Sequence, residues 1–407
     1  MSSSHRRIAL VSAFPPGRQS LNEYGLHLAK AFAARPDVAE VVVIADRLTD
    51  AEPELDLGPK VRVRRTWSFN STLAAIQIVA ALRAEQVDGA IFNLQMASFG
   101  DREVPAALGL CAPMLARAAG VPSGVIAHNL ICGVDLDQTH LKGQILRQRI
   151  VRLGGAVITR ALLAANYLTV TLDSYRQNLA RRHPRANVLL VPHGTFDTQT
   201  RNMAPASDRP RRIVTMGKFG TYKRLETLIA AFRDLKARPG MTDLELVIGG
   251  SDHPKTPGYM ASVADSCRTD ASIRFHGYVA EDHIPDFFGQ ARVSLFDYSA
   301  TTGSSGVLHQ TACYGAVPVF PRIGDFVDVC RDEGLDGANY APGDAIGMAD
   351  AIASLLADPA GSDRLAEANR LAALGMPMSE VAAIHIRQLK QAWLQRKPIQ
   401  PETEFAR

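Results

Sequence analysis

The chain lacks several things that would each point to a class of protein. No stretch reaches the roughly 18 uninterrupted apolar residues that a membrane-spanning helix needs. The nearest, Gly154 to Val170, is broken by Arg160 and Asn166. The basic N-terminus runs into an apolar stretch, Ile8 to Phe14, that stops at Pro15-Pro16 without a small-residue cleavage site, so it predicts a first strand rather than an export signal. The five cysteines (Cys111, Cys132, Cys267, Cys313 and Cys330) are scattered, with no Cys-x-x-Cys pair. That spacing argues against a disulfide framework or a zinc site, suits a reducing cytosol and predicts small buried hydrophobes. The first strand–helix loop has no Gly-x-Gly-x-x-Gly, and no Gly-x4-Gly-Lys-Ser/Thr occurs where a phosphate loop is expected. An NAD enzyme and a Walker-type nucleotidase therefore fit poorly.

What is present is an ordinary globular mixture, 46% apolar and 21% charged over 407 residues. That length suits two domains of about 150–200 residues each. The net charge of +4 is uneven. Residues 1–200 hold 22 Lys+Arg against 16 Asp+Glu, and residues 138–190 hold nine basic residues against one acidic residue, Asp173. A basic first half suggests an anionic partner, such as a phosphate or a membrane surface. Nothing points to nucleic acid.

The two halves open alike. Residues 6–34 and 211–236 each begin with an apolar run, pass through a glycine-containing loop and enter an amphipathic helix. In the second helix Leu225, Leu228, Ile229, Phe232 and Leu235 mark one helical face. In the first, Ser20 and Glu23 form a capping-box pattern. Short runs, most of them fully apolar, punctuate both halves, as expected for parallel strands buried on both faces: 41–44, 89–92, 124–127, 168–171 and 188–191, then 246–248, 273–275, 293–296 and 317–320. The expected fold is α/β with two Rossmann-like, doubly wound domains, 1–197 and 209–378, joined through the polar segment 195–208.

Two loops carry the chemistry. Gly217-Lys218-Phe219-Gly220-Thr221-Tyr222-Lys223-Arg224 lies between a strand and a helix. Its two lysines can reach one diphosphate while the helix N-terminus adds N–H donors. A solvated Gly/Lys turn is the plain alternative. Thr301-Thr302-Gly303-Ser304-Ser305-Gly306, followed by Val307 to Gln310, offers small residues whose backbone can approach a phosphate or a sugar. An ordinary strand–helix loop would look the same.

GKFGTYKR followed by LETLI resembles the G-R-x-x-x-x-K-G-x-x-x-L-I signature of retaining GT-B glycosyltransferases, in particular glycosyltransferase family 4. LVIGG (246–250), RFHGYV (274–279) and YGAVPV (314–319) follow in the family's order, and SAFPPG (12–17), AHNL (127–130) and VPHGTFD (191–197) fit its first half. The resemblance implies a GT-B fold with two domains facing a cleft, a nucleoside-diphosphate sugar as co-substrate, and no cofactor or catalytic metal. It implies that Lys218 and Lys223 hold the diphosphate and stabilise the departing phosphate. His128 would face the sugar and Gly17 would close over the phosphates. Backbone around Gly303, Ser304, Ser305 and Gly306 would meet sugar hydroxyls, and main chain near Tyr278 and Val279 would meet the base. It also implies that the last helical pattern, about 379–398, packs back on the first domain.

The sequence departs from that family at its Glu-x7-Glu pair, where Thr302 and Gln310 stand. Gln310 can still hydrogen-bond a ribose hydroxyl, but Thr302 supplies no carboxylate at the sugar. The expected activity is transfer of a hexose, with retention, to a glycan, lipid-linked or small-molecule acceptor. A catalytically silent homologue that binds nucleotide-sugar or scaffolds a partner is the alternative, and a nucleotide-sugar hydrolase or epimerase lacks the acidic or histidine constellation it would need. Asp135-Leu136-Asp137 spells a metal-binding Asp-x-Asp but follows a glycine-containing loop, and no metal is assigned to it. Residues 140–153 mix Leu, Ile and Val with Lys142, Arg147, Arg149 and Arg152, and suit either an anionic membrane or a solvated helix face. The protein is expected in the cytoplasm, peripheral to the inner membrane if that stretch binds lipid. Asn22-Glu23-Tyr24 is placed to contact an acceptor, and His193 and His309 read as structural.

Overall fold

The computed structural model describes residues 6–17, 19–48, 52–130, 145–196, 203–300 and 303–395, with residues 145–152 described as backbone. Two wholly parallel sheets organise it. The first contains β1 (Arg6–Val11), β2 (Val38–Asp46), β3 (Val61–Trp67), β4 (Gly89–Leu94), β5 (Ser123–Ala127), β6 (Tyr167–Val170) and β7 (Val188–Leu190), in the order β3-β2-β1-β4-β5-β6-β7. The second contains β8 (Arg212–Phe219), β9 (Glu245–Asp252), β10 (Ile273–Gly277), β11 (Val293–Leu295), β12 (Val317–Pro321) and β13 (Ala338–Tyr340), in the order β10-β9-β8-β11-β12-β13. Each sheet reverses its strand order once, beside β1 and beside β8. Open α/β sheets bind ligands outside the carboxyl ends of the strands at such switch points.

The apolar runs read from the sequence all become strands, because helices cover both faces and leave no side for polar residues. Every residue of β4 and β5 is buried. Two edge strands, β3 and β13, add to the predicted set. β3 alternates Val61 and Val63 with Arg62 and Arg64, and both arginines pair with Glu85.

The helices of the first half are α1 (Asn22–Ala33), α2 (Ala74–Ala84), α3 (Glu103–Gly109), α4 (Ala112–Ala118), α5 (Ile145–Leu163) and α6 (Asp173–Arg182). Those of the second are α7 (Glu226–Lys236), α8 (Tyr259–Ser266), α9 (Ile284–Gly289), α10 (Gly306–Cys313), α11 (Gly324–Glu333), α12 (Ala345–Ala357), α13 (Pro359–Leu374) and α14 (Met378–Leu394). Leu228, Ile229, Phe232 and Leu235 of α7 are buried, as the helical spacing predicts. Three cysteines, Cys267, Cys313 and Cys330, are buried, Cys111 is half-buried, and Cys132 lies outside the described residues.

The capping box expected at α1 does not form. Leu21 occupies the cap position with φ 70° and no side-chain cap, which turns Ser20 away from the helix start. Asn22 holds the turn instead, its amide donating to the Gly17 carbonyl at 2.6 Å while its own oxygen accepts from the Glu23 N–H at 2.8 Å.

On one face of the first sheet, α2, α4, α5 and α6 pack Ile78, Leu82, Ala116, Leu162 and Leu179 against Val42, Ile44 and Phe92. On the other, α1 shares a core with the last helix, where Val381, Ile386 and Leu389 of α14 join Phe32, Ile8 and Leu10. The chain therefore returns to its first domain after completing the second. At the crossing, the Thr195 N–H donates to Met376 at 2.9 Å and the Met378 N–H donates to Thr195 at 3.1 Å. Thr195 is buried there, so the polar segment 195–208 begins inside the first domain rather than in solvent. Its residues 197–202 lie outside the described part.

Leu389 is fully buried in this shared core. Leu389→Ala should lower the unfolding free energy by about 2–5 kcal/mol, the usual result of emptying a leucine site in a packed core. Denaturant titration reads this directly, and an unchanged midpoint would show that α14 adds nothing to the first domain.

Candidate active site

A cleft of about 780 Å³ opens between the carboxyl ends of the two sheets. Its first-domain wall includes Gln19, Ser20, Glu23, Gln95, Arg102 and Glu103, and its second-domain wall includes Lys218, Lys223, Lys255, Tyr278 and Val279. The wall carrying the lysines rests on an unusually close backbone approach. Gly217 of β8 is in register with Gly250 of β9, and a side chain at Gly250 would lie 1.9 Å from the Gly217 carbonyl oxygen. Gly250 also has φ +133°, a conformation open to glycine.

The chain then turns through Gly220, whose N–H donates to Lys223 O at 2.8 Å, and Lys223 bridges back to Tyr298. The turn lays the Lys223 side chain along Gly217, with Nζ 4.3 Å from the Tyr298 ring centre and 5.7 Å from that of Tyr222. Ring faces attract cations electrostatically. Among the described residues no carboxylate pairs with this ammonium group. Burial pulls the Lys223 pKa down.

Lys218 stands at the end of β8, facing the first domain. Enclosure and the neighbouring Lys223 lower its pKa, while Glu23 of α1 raises it. Glu23 is itself shifted up, by burial and by Glu281, against the pull of His27 and Lys218. His253 on the same wall is shifted down by burial and then by Lys255 and Lys218. The second-domain wall therefore gathers Lys218, Lys223 and Lys255, a concentration of positive charge suited to a bound diphosphate.

The first-domain side ends in a buried polar chain across β5, β4 and β1. Ring Nε2 of His128 and the Asn93 Oδ1 atom are 2.7 Å apart, and Asn93 Nδ2 donates to Ser12 Oγ at 2.9 Å. Because the Asn93 amide donates onward, its oxygen accepts from His128, which places the ring proton on Nε2. Tyr24 packs edge-on against His128 at 4.4 Å, and burial depresses the His128 pKa to about 3. His128 is thus neutral at any ordinary pH.

The structure distributes the predicted residues over more than one surface. Lys218, Lys223, Tyr278 and Val279 line the cleft. Gly306 and Gln310 line an adjoining cavity of about 450 Å³ that shares Ile284 with it, together with His27, His193, Glu281 and His309. His128, Gly17, Gly303, Ser304 and Ser305 line neither cavity, and Gly17 is held in the loop after β1 by its bond to Asn22. Thr302 and Asp135 to Asp137 lie outside the described residues. Among the described residues no three His, Cys, Asp or Glu side chains cluster closely enough to hold a metal ion.

Gly303 nevertheless sits where the domains meet. At φ +86°, a side chain there would lie 1.8 Å from the His128 carbonyl oxygen. Its N–H donates to Asp325 at 2.6 Å, and the same carboxylate oxygen accepts from the Tyr175 hydroxyl of α6 at 2.8 Å. Asp325 thus joins the loop before α10 to the opposite domain. His309 on α10 is fixed likewise, 2.7 Å from Glu333. Burial works against its charged form, but the carboxylate prevails and raises its pKa. Its ring stacks on His193 at 4.8 Å, whose own pKa is driven well down by burial and then by His309 and His128. Sequence reading misses Asn93, Tyr175, Asp325 and the influence of the Glu23 charge on Lys218.

Two parallel α/β sheets with their strand ends turned to a shared, phosphate-suited cleft define the GT-B architecture of glycosyltransferases. Residues 210–358, most of the second domain, match the model of the family described as glycosyl transferases group 1. Sucrose-phosphate synthase from Thermosynechococcus elongatus superimposes with a TM-score of 0.71, at 19% identity over 96% of this chain and 99% of that one. HepE from Anabaena, in complex with UDP-glucose, gives 0.65 at 14% identity over 95% and 100%. A UDP-forming trehalose-phosphate synthase from Burkholderia xenovorans, with glucose-6-phosphate, gives 0.67 at 12% over 94% and 100%. No curated protein matches the chain by sequence.

The buried neutral histidines set a pH dependence. His128 and His385 have pKa values depressed to about 3 in the folded state, against about 6.5 when unfolded. The unfolded chain therefore binds protons that the folded chain refuses, so stability is full above about 6.5 and falls as pH drops toward 3, by up to about 1.4 kcal/mol per pH unit for each group. His309, with its raised pKa, opposes this in part. Denaturant midpoints should fall between pH 7 and pH 5, and a flat profile would mean that these rings are not held neutral.

Proposed function

We propose that the protein transfers a hexose from a nucleoside-diphosphate sugar to a glycan, lipid-linked or small-molecule acceptor, with retention of anomeric configuration and without a metal. The observation that carries this reading is the Lys223 ammonium, drawn partly out of water over the Tyr298 ring with no carboxylate beside it among the described residues. An uncompensated, preorganised cation costs folding energy unless a ligand supplies the negative charge. Lys218, next to the Gly217–Gly250 contact, supplies the second charge.

In this reading the diphosphate lies against Lys218 and Lys223, which stabilise the charge that develops on the leaving phosphate. The base lies along Tyr278 and Val279. The ribose reaches toward Gln310, whose uncharged amide replaces a carboxylate there. The loop Gly303 to Gly306 presents backbone to the sugar. Neutral His128, held by Asn93, faces the sugar hydroxyls from the first domain once the donor draws the loops together. Gly17 and its neighbours Gln19 and Ser20 close over the phosphates, and Glu23 meets the acceptor. HepE and the trehalose-phosphate synthase, whose structures contain UDP-glucose and glucose-6-phosphate, support a nucleotide-sugar donor and a sugar acceptor. The cytoplasm, where nucleotide-sugars are made, is the compartment this reading implies.

A second reading is favoured by one observation. Thr302 and Gln310 stand where the resemblance would place two glutamates. On that reading the cleft binds a nucleotide-sugar without turning it over.

One series separates the two. Thermal shift against UDP, GDP, ADP and TDP and their sugar conjugates should show a rise with at least one, since a ligand of the folded state stabilises it by mass action. With that donor, Lys223→Gln should lower turnover by about 10²–10³-fold while leaving the unliganded melting temperature near that of the wild type. Binding without turnover of any acceptor or of water would favour the silent reading. A fully active Lys223→Gln enzyme would refute the role given to this lysine.

A further inference from the structure

The basic, apolar stretch singled out between residues 140 and 153 falls mostly outside the described side chains, but the described surface next to it continues the pattern. Of fourteen large apolar side chains exposed among the described residues, seven lie on or beside four consecutive helices. They are Leu73 and Ile76 at α2, Val104 and Leu108 on α3, Leu115 on α4, and Leu153 and Val157 on α5. These helices share one layer. Ile78 of α2, Ala116 of α4 and Ile158 of α5 point into the same core under the first sheet, and Ala107 of α3 packs against it. The exposed residues therefore look outward from one side of the domain. Leu153 and Val157, one turn apart, are 67% and 53% exposed.

The charge of this layer is one-sided. The four helices contain six arginines (Arg83, Arg117, Arg147, Arg149, Arg152 and Arg160), no lysine and a single acidic residue, Glu103. Glu103 lines the cleft rather than adding to the outer face. Arg83, Arg117 and Arg160 are exposed. Guanidinium groups interleaved with Leu, Ile and Val suit an interface that is apolar inside and anionic at its rim. A second copy of the same face would set arginine against arginine, since a two-fold interface presents the same patch from both sides. No helix among the described residues is long and apolar enough to cross a membrane, so the contact would be a surface one.

We propose that the outer face of α2, α3, α4 and α5 docks on an anionic lipid bilayer. The layer is continuous with the acceptor side of the cleft through α3, which lines the cleft with Glu103 and Ala106 and exposes Val104 and Leu108. Docking places the cleft mouth beside the headgroups, so the acceptor class is one carried on a lipid. That last step rests on the transferase reading, whereas the docking does not.

Vesicle sedimentation tests the docking without any sugar chemistry. The full chain should co-sediment with vesicles of phosphatidylcholine plus phosphatidylglycerol and stay in solution with phosphatidylcholine alone. Raising salt from 0.1 to 0.5 M should weaken the binding roughly tenfold, as expected for several arginines near a charged surface. Leu153→Asp combined with Val157→Asp should weaken it by a similar factor at an unchanged melting temperature. Should that pair fail to fold, Ile76→Asp on α2 carries the same test. Failure of the wild type to bind anionic vesicles overturns the proposal, as does equal binding by folded variants. Dimerisation seen by light scattering and abolished by the same substitutions also overturns it, by making the face a protein interface.

Discussion

A lysine held partly out of water, with no carboxylate partner among the described residues, is an expensive arrangement, and the Gly217–Gly250 contact and the Tyr298 ring sustain it. The Lys223 cation rests on the Tyr298 ring and lies along a glycine strand end. That strand end is possible because β8 and β9 touch backbone to backbone at Gly217 and Gly250, where any larger residue would force the strands apart. Burial disfavours the charge, the ring only partly offsets this, and a bound anion would make up the difference.

The first domain answers with the opposite strategy. Its polar centre is neutral and hydrogen-bonded, with His128, Asn93 and Ser12 bonded in sequence and Tyr24 packed against His128. The lysines thus stand on the second-domain wall, while a neutral chain of fixed dipoles lies buried behind the first-domain wall. The two walls are not independent. Asp325 takes bonds from Tyr175 on one side and Gly303 on the other, and Gly303 presses against the His128 carbonyl group. The loop that faces the sugar in the proposed reaction is held in place by both domains at once.

The sequence was informative where local rules decide the outcome. Uninterrupted Val, Ile and Leu runs became central strands because parallel sheets bury both faces, and the 217–224 loop stood out because glycine and lysine together have few other uses. Edge strand β3, with an arginine at every second position, lacked that signature. The helix start at α1 misled for a different reason, since Ser20 and Glu23 carry the right letters but a left-handed Leu21 sets the geometry. The networks were invisible because their members are far apart. Tyr175 and Asp325 are separated by 150 positions and Asn93 and His128 by 35, and no periodicity links them. Glu23 could be read as a cap or an acceptor contact, and only the fold brings it close enough for its charge to act on Lys218 across the cleft.

The return of α14 to the first domain also bears on how the protein is made. Ile8, Leu10 and Phe32 leave the ribosome early, yet Val381, Ile386 and Leu389, which cover them, are synthesised only after the whole second domain. During translation the first domain must wait with an apolar flank uncovered while the second domain, contiguous in the chain, can already fold. The nascent chain therefore exposes this apolar flank in the interval between synthesis of β2 and of α14, when it is prone to aggregate. A chaperone acting on this chain would find its natural target on the face that α14 later closes.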